Sequence, residues 1–256
     1  MTYLKEYLIT GGSGMVGRSY EKTIPDAAFI SSKDCDLRNK EEVNELFNYH
    51  KPKYVIHLAA RVGGVQANMN NMGAFYYDNI MINTNVLEAA RLFDVKKVLS
   101  CLSTCIYPDD IVYPLTEEQM HNGAPHESNF SYAHTKRMIE VQSRAYRKQY
   151  GSNFICMSPN NLFGKYDNFD LENSHVIPAI IRKIYEAKIN QGNAVFWGDG
   201  TPLREFTYAE DMPDISLFLL KNYDSAGVIN VGNTHEVSIR YVVEKVREYF
   251  KYDGEI

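Results

Sequence analysis

Three runs of the chain are almost continuously apolar: YVIHLAA (54–60), KVLSCLS (97–103) and NFICMS (153–158). A strand that is apolar on both faces must be covered on both faces, and helices supply that cover. The intervening segments carry the matching signal. EEVNELFNYH places Val43, Leu46 and Phe47 on one helical face, and Asn39 followed by Glu42 is spaced as a helix start. Residues 74–94 and 131–150 read as long helices, and EYLIT and AAFIS as further strands. This alternation predicts an α/β fold, a doubly wound parallel sheet of the Rossmann kind.

Past Pro159 the alternation loosens. Gly, Asn, Asp and Pro punctuate short periodic pieces over 160–206, which predicts a smaller cap over the ligand edge of the sheet. TYAEDMPDISLFLL (207–220) is expected to return to the main sheet, and 238–251 to form a last helix. The expected division is a dinucleotide-binding domain from 1–160 plus 207–232, and a substrate domain from 161–206 plus 233–256. Of the 256 residues, 45% are hydrophobic, enough for a well-buried core, and the net charge of −5 argues against a nucleic-acid partner. No apolar run reaches membrane-span length, and MTYLKEYLIT has no signal-peptide layout. Cys35, Cys101, Cys105 and Cys156 show neither metal-ligand spacing nor a disulfide framework. The expectation is a cytoplasmic protein with no metal, no membrane and no nucleic acid.

TGGSGMVG (10–17) follows the first strand and opens a helix. Gly11, Gly14 and Gly17 let a pyrophosphate approach the backbone where free N–H groups and the helix dipole favour anions. A tight strand–helix turn alone would use the same glycines; the position, first in the chain between strand and helix, points to a dinucleotide. At the end of the second strand, where an acid would hold the ribose of NAD, the chain reads Ser31, Ser32, Lys33. A lysine among hydroxyls suits the 2′-phosphate of NADP. Asp34 next door argues the other way, and Lys33 also reads as a solvated loop charge.

SYAHTK (131–136) puts Tyr132 and Lys136 on one helical face. A neighbouring ammonium favours the phenolate, so Tyr132 can pass a proton to a carbonyl oxygen. Ser103, at the end of its strand, can hydrogen-bond the same carbonyl. By themselves Tyr132 and Lys136 also read as a surface pair, and Cys105 as a small buried hydrophobe.

Together, TGGSGMVG, HLAA (57–60), Ser103 and Tyr132-x-x-x-Lys136 resemble the extended short-chain dehydrogenase/reductase family. HLAARVGGVQAN, CLSTCIYP, PNNLFGKYDNF, NSHVIPAIIRK and WGDGTPLREF narrow the resemblance to its GDP-sugar 3,5-epimerase-4-reductases. The resemblance implies NADP(H), a GDP-4-keto-6-deoxymannose substrate and a homodimer built on two long helices per subunit, with Ile139 and Tyr146 available to that interface. It implies Cys105 as base and His175 as acid for epimerisation at C3 and C5, with Ser103, Tyr132 and Lys136 serving reduction at C4. For the cofactor it implies Gly11, Ser13, Gly14, Met15, Val16 and Gly17, then Lys33, Asp36 and Leu37, then Leu58, Ala59 and Ala60. Thr104, Pro159, Asn161, Leu162 and His175 would complete that site, beside Ser103, Tyr132 and Lys136; Asn160 belongs to the same matched stretch. For the GDP-sugar it implies Ser103, Asn161, Lys183, Trp197 and Arg204. Asn85 matches an asparagine that supports the lysine, and Tyr107 is expected to pack. Two departures stand out. Ser13 replaces an arginine that some members carry, and the family pattern runs several tens of residues past DGEI, so the substrate domain is expected to be incomplete. Another nucleotide-sugar epimerase, dehydratase or reductase, or a silent NADP-binding relative, are the alternatives.

Overall fold

The structure, a computed structural model, describes residues 5–256. Six strands form a parallel sheet: β1 (Tyr7–Thr10), β2 (Ala28–Ile30), β3 (Tyr54–His57), β4 (Lys97–Cys101), β5 (Phe154–Pro159) and, after an excursion, β8 (Val228–Val231). Their order is β2-β1-β3-β4-β5-β8. The chain leaves β1 towards β2 on one side and returns to β3 on the other. The carboxyl ends of β1 and β3 therefore flank a topological switch point, where open α/β sheets bind ligands.

Helices cover both faces, as the uninterrupted apolar strands require. On one face α2 (Lys40–His50), α4 (Met72–Leu92) and α5 (Phe130–Tyr150) bury Val43, Phe47, Val86, Leu87 and Ile139 against Leu8, Val55, Val98 and Phe154. On the other, α1 (Met15–Ser19) and α7 (Met212–Asn222) bury Tyr20, Met212, Leu219 and Leu220 against Ile9, Ile56, Leu99, Ile155 and Met157. The start of α2 follows from its sequence. The Asn39 side chain accepts from the N–H groups of Glu41 and Glu42 and donates to the Glu42 carboxylate. Lys97, buried at the start of β4, donates to the carbonyls of Leu219 and Leu220 and pairs with Asp224, which fixes the end of α7 to the sheet.

The second layer is a three-stranded sheet of β6 (Asn161–Phe163), β7 (Leu203–Tyr208) and β9 (Glu236–Ser238). It sits with α6 (Val176–Ile189) and α8 (Ile239–Phe250), whose own cluster holds Ile180, Ile184, Ala187, Val243 and Tyr252. Thr207 and Tyr208 pair with Leu162 and Phe163 in this small sheet; the return to the main sheet is made by α7 and β8. A short helix, α3 (Val65–Asn70), links β3 to α4.

Ile139 is fully buried inside the subunit, because α5 lies against α4 and the sheet, so it is not available to a partner. Tyr146 also leans on that core and donates to Glu88. Phe47→Ala, at a fully buried position, is expected to destabilise the chain by about 3–5 kcal/mol, read as a shift of the urea midpoint.

Candidate active site

The glycine turn sits at the switch point. Gly11 has φ of +71°, and a Cβ there would lie 2.9 Å from the backbone nitrogen of Ala59. Gly17 is closed in as well: a Cβ would run into the carbonyl oxygen of Gly11. The N-cap Gly14 brings no side chain, so the first-turn N–H groups of Met15, Val16 and Gly17 lack an intrahelical or capping acceptor. Ser13 is exposed at the tip. This cradle of small residues and free amides fits a pyrophosphate.

Beneath the turn runs a buried hydrogen-bond chain that pattern reading did not reveal. Thr10 Oγ1 lies 2.7 Å from His57 Nδ1 and accepts from the Ala59 N–H. His57 Nε2 lies 3.0 Å from Asn83 Oδ1, and Asn83 donates to the Thr135 carbonyl on α5. The turn, the Leu58–Ala60 loop, α4 and the helix carrying Tyr132 are thereby tied together. Burial, with the Lys136 charge adding to it, pushes His57 down to about 4, so the ring is neutral at pH 7. Asn83, not Asn85, is the asparagine that reaches α5. Asn85 instead donates to the carbonyls of Leu37 and Arg38.

At the far end of the cradle, Lys33 is exposed just past β2. The Asp34 carboxylate turns back to accept from the N–H and hydroxyl of Ser31, and that hydroxyl holds it below the usual carboxylate range. It is thus engaged locally, with the exposed Lys33 charge also acting on it. Asp36 takes a double hydrogen bond from Arg38, which also pairs with Asp78; Arg61 pairs with Asp78 at 2.7 Å. Leu37 is buried in the core.

Ser103 ends the β4 segment in extended conformation and caps a 3-10 turn over Thr104–Ile106; its hydroxyl accepts from the Cys105 N–H at 3.4 Å. α5 brings Tyr132 and Lys136 alongside. Lys136 is 2% exposed, donates to the Cys101 carbonyl at 2.7 Å and lies 5.8 Å from the Tyr132 ring centre. Burial is the largest influence on all three groups. It raises Cys105 despite help from Ser103 and Lys136, raises Tyr132 far above 10, and lowers Lys136. In this state Cys105 and Tyr132 are protonated at neutral pH. The Lys136 ammonium, expected to favour the Tyr132 phenolate, does not outweigh burial in this state. Tyr107 is buried in the core and donates to Asn230 on β8.

His175 is exposed at the N-cap of α6, and no hydrogen bond joins it to Ser103, Cys105 or Tyr132 among the described residues. Nearby, Asp167 is raised by burial and feels the His175 charge; it lines a 230 Å³ cavity with Phe163, Ile177 and Tyr208. Pro159 closes β5 opposite Val231, and the Asn160 amide donates to Glu205 and to the Asn233 carbonyl. The Asn161 amide donates to the Glu205 carbonyl, and Leu162 packs on the core. Lys183 donates to the Val195 carbonyl and stands 5.9 Å from the ring centre of Trp197, which is 91% exposed. Arg204 is exposed on β7 and donates to the Leu203 carbonyl.

A family model, described as the NAD dependent epimerase/dehydratase family, matches residues 7–232. The chain belongs to that family. A GDP-L-fucose synthase of Dictyostelium discoideum is 42% identical over 264 positions, covering 100% of this chain and 82% of the relative. A probable GDP-L-fucose synthase of Drosophila melanogaster is 40% identical, covering 99% of this chain and 84% of its own length. A crystal structure of a GDP-L-fucose synthetase from Naegleria fowleri bound to NADP superposes with a TM-score of 0.93 at 38% identity, covering 100% of this chain and 81% of that one.

The neutral, buried His57 has a pH signature. Its folded value of about 4 lies below the ordinary 6.5, so the unfolded chain binds more protons between those limits. Its share of stability is complete above pH 6.5 and is lost as pH falls towards 4. Between pH 7 and pH 5 the native chain is expected to lose about 2 kcal/mol that His57→Gln does not lose, measured by urea unfolding at both pH values.

Proposed function

We propose that the chain converts GDP-4-keto-6-deoxy-D-mannose to GDP-L-fucose, by epimerisation at C3 and C5 followed by NADPH-dependent reduction at C4. The observation that carries this reading is the meeting of Ser103 and Cys105, on one turn, with Tyr132 and Lys136 on α5 beside the glycine cradle. The similarity to GDP-L-fucose synthases over the whole chain supports the substrate.

The cradle residues Gly11–Gly17 would hold the pyrophosphate through backbone N–H groups. Lys33 would meet a 2′-phosphate, and the hydrogen bonding of Asp34 to Ser31 supports NADP over NAD. Asp36 and Leu37 would hold the adenine end, Leu58–Ala60 would underlie the cofactor, and Pro159, Asn161 and Leu162 would hold its nicotinamide end. When bound, NADPH supplies a hydride for C4. The chain supplies the rest. Ser103 and Tyr132 hydrogen-bond the C4 oxygen, which stabilises negative charge there when a proton leaves C3 or C5. Cys105, once deprotonated, removes that proton from one face, and His175 returns one from the other. In the reduction step Tyr132 gives its proton to the C4 oxygen, and Lys136 stabilises the phenolate left behind. Lys183, Trp197 and Arg204 would contact the GDP portion, as cations and an aromatic face suited to a diphosphate and a base.

The same reading makes the chain a cytoplasmic homodimer pairing α4 and α5. Four free cysteines agree with a reducing compartment, and Tyr76 and Tyr77 on α4 and Val141 on α5 leave apolar surface outward. By strand membership, the nucleotide domain would end at Asn160 and resume after Tyr208.

The test is NADPH consumption with GDP-4-keto-6-deoxymannose, with the product identified. GDP-L-fucose is expected. Tyr132→Phe is expected to lower kcat by at least about 100-fold. Cys105→Ser should still reduce a ketone already epimerised while failing on the unepimerised one. NADPH binding without any sugar turnover would overturn the reading in favour of a silent cofactor-binding protein.

A further inference from the structure

Next to Lys136 on α5 is a second buried cation, Arg137, 5% exposed. Its Nε donates to the Ile106 carbonyl at 2.6 Å and its Nη1 to the Gly123 carbonyl at 2.8 Å. Ile106 directly follows Cys105 in the 3-10 turn. Arg137 Nη2 is buried with no hydrogen-bond partner among the described residues. Arg137 makes no ion pair with a carboxylate among the described residues. Glu140, one turn along the same helix, is taken up by His121 and Arg144.

A buried guanidinium with no anion is costly, and native proteins pair such charges. Two neutral carbonyls do not supply a counter-charge. Among the described residues, the titratable acid that acts on the Arg137 charge is the Cys105 thiol; the influence is mutual. We propose that Arg137 is a positioning residue which clamps the Cys105 turn and adds, beside Lys136, a second counter-charge for the Cys105 thiolate. The proposal deepens the functional reading above, in which Cys105 is the epimerising base.

Burial alone would keep this thiol protonated, so ionisation needs compensating positive charge. The resting thiol releases its proton to water. The thiolate then takes the sugar proton to become a thiol again, leaving the electron pair on the substrate as an enolate. The titratable groups facing Cys105 are Lys136, Arg137 and Tyr132, all on α5, with the Ser103 hydroxyl from its own turn. Lys136 is the stronger of the two cations on Cys105 and also acts on Cys101 and Cys156. Arg137 acts on Cys105 and on His134 and is fixed at two points. His134, on the same helix, is lowered by burial and by the Arg137 charge, so it stays neutral beside Arg137 and adds no cation.

The test follows Cys105 alone. The full chain is alkylated with iodoacetamide across a pH series, and the Cys105 peptide is quantified by mass spectrometry. In Arg137→Gln, which keeps a donor but loses the charge, the rate at pH 7 is expected to fall about tenfold, as the midpoint rises by about one pH unit. Arg137→Lys keeps the charge and is expected to show less than half of that shift. An unchanged midpoint in a folded Arg137→Gln overturns the proposal. If Arg137→Gln does not fold, a Lys variant that shifts by the full amount overturns it equally. Because the readout needs no sugar, a chain that fails to turn over the GDP-sugar while its Cys105 responds to Arg137 would sink the functional reading and leave this inference standing.

Discussion

The buried chain from Thr10 through His57 and Asn83 to the Thr135 carbonyl is the interaction on which the rest of the site depends. Each member is polar and almost fully removed from water, so each must be satisfied inside the protein. Satisfying them fixes the end of β1 against the end of β3, and fixes α4 and α5 against both. The glycine cradle and the Tyr132–Lys136 face then have one possible separation. A neutral His57 is part of this, because a charged ring would face the Lys136 ammonium from the same apolar interior.

The same exclusion of water sets the chemistry. Lys136 and Arg137 are cations held without carboxylates, and Cys105 and Tyr132 are acids held in their neutral forms. A low-dielectric pocket makes each of these charges act strongly on any negative charge that forms there. An enolate or a thiolate is therefore stabilised where a neutral ketone and a neutral thiol gain little. That asymmetry suits a site in which one carbonyl oxygen serves both proton removal next to it and hydride addition at it.

Much of this was legible in the chain. Strands buried on two faces betray themselves by continuous apolarity, and a glycine turn needs its glycines where a Cβ would strike backbone, as at Gly11 and Gly17. What stayed hidden depends on rotation and burial. Asn83 and Asn85 are two residues apart on one helix and so point to nearly opposite sides; pattern alone could not tell which meets α5. Ile139 sits on a helix with apolar residues on several faces, and only packing shows that it faces inward. The strand ending in Thr207 and Tyr208 pairs sideways into the small sheet, a choice made by neighbours far away in sequence. Cys105 and Tyr132 stand out in the sequence as candidate reactive groups, but their protonation reflects desolvation, which belongs to the tertiary structure. Arg137 passed unnoticed because an arginine on a helix usually reads as surface.

The central claim is that one site performs proton exchange at two carbons and reduction at a third. The most direct measurement is a single reaction in deuterated water, with NADPH carrying light hydrogen in the transferable position, followed by NMR of the sugar product. The account predicts deuterium at C3 and C5 and protium at C4 of one GDP-L-fucose molecule. Protium retained at both C3 and C5 of a product reduced at C4 would contradict it, and would make the chain a reductase without epimerase activity.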